Sequence, residues 1–355
     1  MRMRLAIVGG GVIGLTVAWR AADAGHHVTV HDPDPGRGSS WVAGGMLAPV
    51  TEGRPGEEAA QDLGSLSLER WPDFATELSA AAGRPAGLRT QGTLVVGLDP
   101  GDRSELDHLV QWLTARGRQV ATLHADALRD AEPGLAPGIR RGLSVPGDLA
   151  VDNRALLGAL QAAGERAGVV HVAAPVADPA ALTALDADQI VLAAGARVAD
   201  VLPGLPVRPV KGEIVRLHHR PGALPPPTHT VRALAHGRHV YLVPRDDGLV
   251  VGATQWETGH ETTVTVGGVR DLLDDATAVL PGLAEFEFAE VIAGSRPMTP
   301  DGLPLIGRVD ARTVLATGHG RNGILLAPIT ADAVLAELAG EPLPALAAAA
   351  PGRFA

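Results

Sequence analysis

The pattern Gly-x-Gly-x-x-Gly at Gly9, Gly11 and Gly14 lies between a short apolar run, Leu5–Val8, and a stretch of apolar residues at helical spacing, Val12–Ala24, which stops at Gly25. A second strand-like segment, His27–His31, follows and ends at Asp32. Strand, glycine turn, helix and strand make a βαβ unit, so the chain must open with a parallel sheet. The turn removes Cβ atoms where backbone meets a ligand, and the helix start aims free N–H groups at negative charge. Asp32, eighteen residues beyond Gly14, stands where a carboxylate can accept a bond from a ribose hydroxyl. The full context of strand, turn, helix and acid outweighs a purely structural βα turn, so an adenine dinucleotide is the ligand expected here.

The same pattern recurs at Gly318, Gly320 and Gly323, after the apolar run Val314–Ala316. This copy cannot repeat the first one's work. Eighteen residues past Gly323 is Glu341, inside Gly340–Pro344, where no strand is plausible, and too little chain follows for another βαβ unit. One dinucleotide is therefore expected, without a separate nicotinamide module. The second turn still begins a helix, so its N–H groups and dipole would stabilise negative charge, such as develops at N1 and the C2 carbonyl of a reduced flavin.

Bulk properties remove other classes. The formal charge of −10 and the lack of a basic run argue against nucleic acid as a partner. No cysteine is present, which excludes disulfides, thiolate metal sites, a cysteine nucleophile and a flavin tethered through sulfur. Gly9–Gly11 interrupts the apolar start before it can resemble an export signal, and no run of eighteen apolar residues exists; a cytoplasmic protein is expected. Lys211 is the only lysine among 30 basic residues, and Tyr241 is the only tyrosine.

Further along, 34–56 reads as a long Gly/Pro/Ser-rich connection and Leu66–Ala82 as one helix. Thr93–Leu98 reads as a strand, Ser104–Arg116 as a helix, Asn153–Ala167 as a helix, and Val169–Val172 and Gln189–Ala194 as strands. Glu213–His218 and Val240–Val243 alternate like antiparallel strands with one wet face, and Arg245-Asp246-Asp247-Gly248 reads as a hairpin turn returning through Leu249–Val251.

Several of these segments together resemble a known family. Gly9–Gly14, Ser40-Trp41 through Gly45-Met46-Leu47-Ala48-Pro49, Pro209-Val210-Lys211-Gly212-Glu213, Arg296-Pro297 with Asp301–Gly307, and Gly318–Pro328 look like the glycine oxidases of thiamine biosynthesis, in the D-amino acid oxidase group of FAD enzymes. The resemblance runs in order from about residue 4 to about residue 335. It implies an α/β fold joined to antiparallel β structure: a Rossmann-like FAD-binding domain (1–84, 148–208 and 291–346), an inserted substrate domain on a mostly antiparallel sheet (85–147 and 209–290), and a tail (347–355). It implies non-covalent FAD held at Gly9, Gly11, Val12, Ile13 and Gly14 by its pyrophosphate and at Asp32 and Pro33 by its ribose. Ser39, Ser40, Gly44, Gly45 and Met46 would line the flavin, Val176 would touch adenine, and Gly195 would lie along the cofactor. His319, Gly320, Arg321, Asn322, Gly323, Ile324 and Leu325 would wrap the pyrimidine edge. Tyr241 and Arg296 match the family's ligands for the substrate carboxylate, with Arg321, His239 and Met46 near the same place; Arg197 departs from the aromatic that relatives carry there. Implied partners are a small amino acid, dioxygen, the thiazole branch of thiamine synthesis and further copies of the chain, as a tetramer.

The residues themselves support part of this. Tyr241 and His239 share a strand face opposite Val240 and Leu242. Pro297 holds Arg296 in extended backbone, and a guanidinium grips a carboxylate bidentately. A core tyrosine and a surface arginine remain the plain alternatives. His218, His219, His229, His236 and His239 match no metal-ligand spacing, so no metal is expected. For Lys211, a contact with flavin and a contact with a buried backbone group both stay open. The expected reaction is oxidation of glycine, sarcosine or a small D-amino acid by hydride transfer from Cα to flavin N5, with no side chain as base and hydrogen peroxide as a product. A D-amino acid dehydrogenase or broader oxidase on the same fold, and a flavin-binding assembly protein without turnover, are the rival readings.

Overall fold

A computed structural model describes residues 2–354. Its first sheet has six strands in the order β16-β17-β10-β1-β2-β9. These are β1 (Arg4–Val8), β2 (His27–His31), β9 (Val170–Val172), β10 (Gln189–Leu192), β16 (Leu305–Arg308) and β17 (Thr313–Thr317). All pairs are parallel except β16 with β17 at one edge. The unbroken apolar runs of the sequence follow from burial on both faces. Leu5 and Ile7 of β1 face the helices Val12–Asp23 and Ala327–Ala339, whereas Ala6 and Val8 face Val198, Val201 and Leu182 on the other side.

The second sheet has eight strands in the order β15-β11-β14-β13-β12-β5-β7-β6. They are β5 (Thr93–Gly97), β6 (Ala121–His124), β7 (Arg141–Val145), β11 (Arg208–His218), β12 (Thr230–Ala235), β13 (Arg238–Arg245), β14 (Gly248–Gly252) and β15 (Glu287–Met298). Every pair is antiparallel except β12 with β5. One face, carrying Leu94, Val215, Val231, Val240, Leu242 and Val251, is covered by the helix Val266–Val279 through Leu272, Ala276 and Val279. The other face turns toward the 39–45 segment, where Val42 packs on Ile214 and Val250. A small sheet of β3 (Met46–Leu47), β4 (Leu88–Arg89) and β8 (Leu149–Val151) links the two.

The hairpin expected at Arg245–Gly248 forms, with Arg245 paired to Gly248. The single helix expected over Leu66–Ala82 is two helices, Glu58–Leu68 and Trp71–Ala82. Pro72 stands in the first turn of the second, where its missing N–H costs nothing. The break lets the Ser67 hydroxyl and Trp71 Nε1 both donate to the Leu325 carbonyl, at 2.6 and 2.9 Å. Residues 291–298, grouped by sequence with the cofactor domain, are part of β15 in the eight-stranded sheet. Within the tail and just before it, Ala349 and Leu346 join the main core, and Arg353 grips the Asp301 carboxylate with two nitrogens at 2.7 and 3.0 Å. Among the described residues no single helix is long and apolar enough to cross a membrane.

Candidate active site

The first glycine turn leaves β1 at its carboxyl end and enters the helix Val12–Asp23. Gly14 is required for packing: a Cβ there would lie 1.9 Å from the Gly9 carbonyl oxygen. Gly11 gives the helix no side-chain cap, and no acid occupies the first turn. Of the first-turn donors, the Val12 N–H is received by the Ser40 hydroxyl at 3.0 Å. Val12 and Ile13 are buried behind this turn. Asp32, at the end of β2, reaches back to accept the Gly10 N–H at 2.7 Å, with Pro33 exposed beside it. Val176 lies beyond β9, packed against the same side of the sheet as Val8.

The second glycine turn leaves β17 at its carboxyl end. In the sheet β17 is two strands from β1, with β10 and then Gly195 between them. Both glycine turns therefore open on one edge of one parallel sheet, about 10 Å apart by strand spacing. Such a switch point is where open α/β sheets bind their ligands. A regular α-helix starts only at Ala327; the turn itself is a short 3₁₀ segment, Gly320–Asn322, followed by tight turns that bury Ile324 and Leu325. Gly323 has ordinary helical dihedrals and leads into those turns. His319 is bridged to Met298, two residues from Arg296, so this turn joins the parallel sheet to the larger one. Its imidazole is buried against the Thr330 hydroxyl at 3.0 Å, and burial pushes its pKa down to about 3, so it stays neutral.

The 39–45 segment lies between the sheets and is held from several sides. The Ser39 hydroxyl donates to the Ser295 carbonyl at 2.6 Å. Asn153 donates to the carbonyls of Ser40 and Trp41 at 2.9 and 2.8 Å. Arg245, 3% exposed, donates to the Gly44 carbonyl at 2.8 Å and to Asn153 Oδ1 at 3.2 Å. Burial lowers its pKa to about 10, so it remains a cation. Gly45 accepts the Val151 N–H at 2.8 Å, and Met46 pairs with Ala150 in the small sheet.

Tyr241 and Arg296 project from the face of the large sheet that meets this segment. The Tyr241 ring lies between Gly44 and Gly252; a Cβ on either would come within 2.7 or 2.3 Å of it. The Arg296 guanidinium lies flat over Gly212, where a Cβ would be 2.3 Å from it. Its nitrogen donates to the Thr254 carbonyl at 3.2 Å and, more weakly, to the Lys211 carbonyl at 3.5 Å. Burial raises the Tyr241 pKa and the nearby Arg296 charge opposes that rise, so the phenol keeps its proton.

Arg321 is engaged otherwise: it pairs with Glu57 and donates to the Glu52 carbonyl at 3.1 Å. His239 is half exposed at the outer end of the strand, 4.0 Å from Glu105, and burial with the charges of Arg54, Arg232 and Arg321 lowers its pKa. The side chain of Arg197 is exposed beside Asp200. Lys211 points away from Tyr241 and Arg296, because β11 alternates and Gly212 occupies the site face. It reaches the Thr263 carbonyl at 2.8 Å, so its contact is with backbone on the far side of the sheet.

Sequence reasoning missed Arg232, Arg245 and Asp148. Arg232 pairs with Tyr241 across β12 and β13 and reaches the Thr51 hydroxyl at 3.3 Å. Asp148, fully buried, accepts the N–H groups of Val50 and Thr51 at 3.1 and 2.8 Å, and its burial raises its pKa to about 6. No local pattern marks these residues, since register and loop packing bring them there. His218, His229 and His236 each face a carboxylate of their own; Asp99 and Asp102 form the capping box of the helix Pro100–Ala115, and His236 bonds to both.

A profile of the family described as FAD dependent oxidoreductase matches residues 4–338. The chain belongs to that family. The glycine cradle suits FAD: its helix start carries no acid and no cap of its own, and Asp32 stands at the end of the next strand. This oxidoreductase is 35% identical over 345 residues to the thiamine biosynthesis oxidoreductase ThiO of Rhizobium etli, with 96% of this chain and 97% of that protein aligned. It is 33% identical over 346 residues to the bifunctional protein ThiO/ThiG of Trichormus variabilis; 93% of the chain aligns but only 52% of that relative, so the chain spans about half its length. The solved structure of glycine oxidase from Geobacillus kaustophilus superposes with a TM-score of 0.89 at 29% identity, covering 99% of each chain.

Proposed function

We propose that the chain is an FAD-dependent oxidase of glycine, with sarcosine and small D-amino acids as further substrates, serving the thiazole branch of thiamine synthesis. The observation that carries this reading is the placement of Tyr241 and Arg296 flat over glycines, on the sheet face that meets the 39–45 segment beside the second glycine turn. The Geobacillus kaustophilus and Rhizobium etli likenesses support it.

FAD bound here would supply the redox chemistry: a hydride acceptor for Cα at flavin N5, reoxidised by dioxygen to give hydrogen peroxide. Gly9, Gly11, Val12, Ile13 and Gly14 would hold the pyrophosphate, Asp32 the ribose, and the segments Ser39–Met46 and His319–Leu325 the flavin end. Arg296 would bind the substrate carboxylate and the Tyr241 hydroxyl would donate a further bond, so that two fixed points orient Cα. The amine must arrive neutral, and no side chain is assigned as base. The imine product is then hydrolysed to glyoxylate and ammonia or consumed in thiazole synthesis. Residues 1–84, 148–208 and most of 291–346 would form the cofactor-binding part, and the rest of the chain before 347 the substrate-binding part. A cytoplasmic homotetramer completes the reading.

Anaerobic mixing with glycine, sarcosine, D-alanine and D-proline should bleach the flavin, and glycine should do so at the lowest concentrations. Arg296→Ala should raise the apparent KM about a hundredfold or more, because it removes a charge-assisted clamp. Tyr241→Phe should raise it about three- to tenfold, the loss of one hydrogen bond. Small and equal effects of the two would sink the clamp. A reduced flavin inert to air but reactive with a quinone would make the protein a dehydrogenase.

A further inference from the structure

Behind the sheet from Arg296 lies an ion pair shut away from water. Lys211 is 1% exposed and Glu213 0%. Lys211 Nζ donates to the Thr263 carbonyl at 2.8 Å and stands 3.4 Å from both Glu213 Oε1 and Glu261 Oε2. Glu213 accepts the N–H and the hydroxyl of Thr265 at 2.9 and 3.1 Å, at the start of the helix Val266–Val279, where a carboxylate suits the helix dipole.

These groups tie down the 253–265 crossing segment. Trp256 is bridged to Lys211 through both backbone bonds, at 2.8 and 3.0 Å. The Thr254 hydroxyl accepts the Glu213 N–H at 2.9 Å, and the Thr254 N–H donates to the Glu213 carbonyl at 3.3 Å. The carbonyls of Thr254 and Lys211 are, among the described residues, the hydrogen-bond partners of the Arg296 guanidinium. Gly212 gives that guanidinium its flat bed, and the two residues flanking Gly212 hold the carbonyls on which it rests.

We infer that Lys211 and Glu213 are positioning residues for the carboxylate clamp: their buried pair fixes the carbonyls of Thr254 and Lys211 and thereby sets the aim of Arg296. This rests on the reading of Arg296 as the carboxylate ligand. Stability alone does not account for the pair, because buried ion pairs are commonly replaced by apolar residues without loss. Geometry does, because a displaced guanidinium no longer meets a carboxylate with both of its nitrogens and so binds it more weakly.

The test uses FAD-loaded protein and two readouts: the Kd of acetate by calorimetry, and KM against the saturating bleaching rate with glycine. Lys211→Met should raise both the acetate Kd and the glycine KM about ten- to a hundredfold, with FAD content unchanged and the saturating rate little affected. Lys211→Arg should recover most of the affinity. The double variant Lys211→Met/Glu213→Leu replaces the pair by apolar bulk and guards against a single variant that does not fold; it should keep its thermal midpoint and still lose acetate affinity. In an Arg296→Ala background, Lys211→Met should add nothing. Wild-type acetate affinity in a folded K211M or K211M/E213L protein would overturn the proposal. So would an equal further loss on top of Arg296→Ala, which would make the pair's effect independent of the clamp. If Arg296→Ala itself leaves acetate binding unchanged, the clamp reading falls and this inference with it.

Discussion

Buried ionisable residues at this site pull stability in opposite directions with pH. His319 is neutral in the fold, its pKa lowered from 6.5 to about 3 by burial. The unfolded chain therefore takes up a proton there first, and stability is lost as pH falls from about 6.5 toward 3. Asp148 is the reverse case, raised by burial from 3.8 to about 6. The folded protein holds that proton first, so stability is gained as pH falls through 6 and levels off near 3.8; the shift is worth roughly 3 kcal/mol. The two slopes oppose one another between about pH 4 and 6. Asp148→Asn should steepen the acid loss of stability by about that amount, and His319→Gln should reverse its sign, measured by urea unfolding at pH 7, 5.5 and 4. Parallel pH profiles in the two variants would show that neither burial shift is felt. Tyr241 and Arg296 could be singled out from the sequence because they match the family's ligands for the substrate carboxylate. Asp148, Arg232 and Arg245 could not: a buried acid after Gly147 or an arginine in a hairpin turn looks like any loop charge until packing removes its water.

The strand β11 shows how one element serves two purposes by alternation. Val210, Gly212 and Ile214 face the site, and Lys211, Glu213 and Val215 face the helix Val266–Val279. The motif Pro209–Glu213 is thus two interleaved patterns, and reading it as one obscured the role of Lys211. Gly212 is needed because the end of the Arg296 side chain lies where a Cβ would be. A guanidinium tip is free to move, so Gly212→Ala should cost little stability while raising the substrate KM by about tenfold or more through a displaced clamp. A large fall in thermal midpoint with KM unchanged would show that the glycine serves the sheet and not the arginine. Element type was legible wherever periodicity ran unbroken, as in Val12–Asp23 and His27–His31. The division of Leu66–Ala82 was also written in the sequence, as Trp71-Pro72, but apolar spacing carried on across it and concealed the break.

In the whole molecule, segments near both ends of the chain meet along one edge of one sheet. The first glycine turn follows β1 and the second follows β17, and β10 separates them. A ligand that touches both should tie these distant segments together and favour only the folded state. FAD at a hundredfold over its Kd should therefore add about 2.7 kcal/mol to the unfolding free energy. Gly11→Val, which puts branched atoms at the uncapped helix start close to the Ser40 hydroxyl, should abolish most of that gain while the apo-protein stays folded. Equal stabilisation of both proteins by FAD would place the pyrophosphate elsewhere.

From the sequence alone came the parallel sheet, the first glycine turn with its acid, the expectation that the two glycine patterns differ in role, and the residues that match the family's. These are local properties: strand, turn and helix residues lie within a few positions of one another, and their chemistry shows in their order. The tertiary structure decided which face each side chain takes, that Arg321 is bound to Glu57, that Lys211 stands behind the sheet, and that Arg296 lies on carbonyls from two separate segments. Those depend on strand register and on contacts between residues far apart in the chain, where a shift of one residue would exchange the two faces of β11.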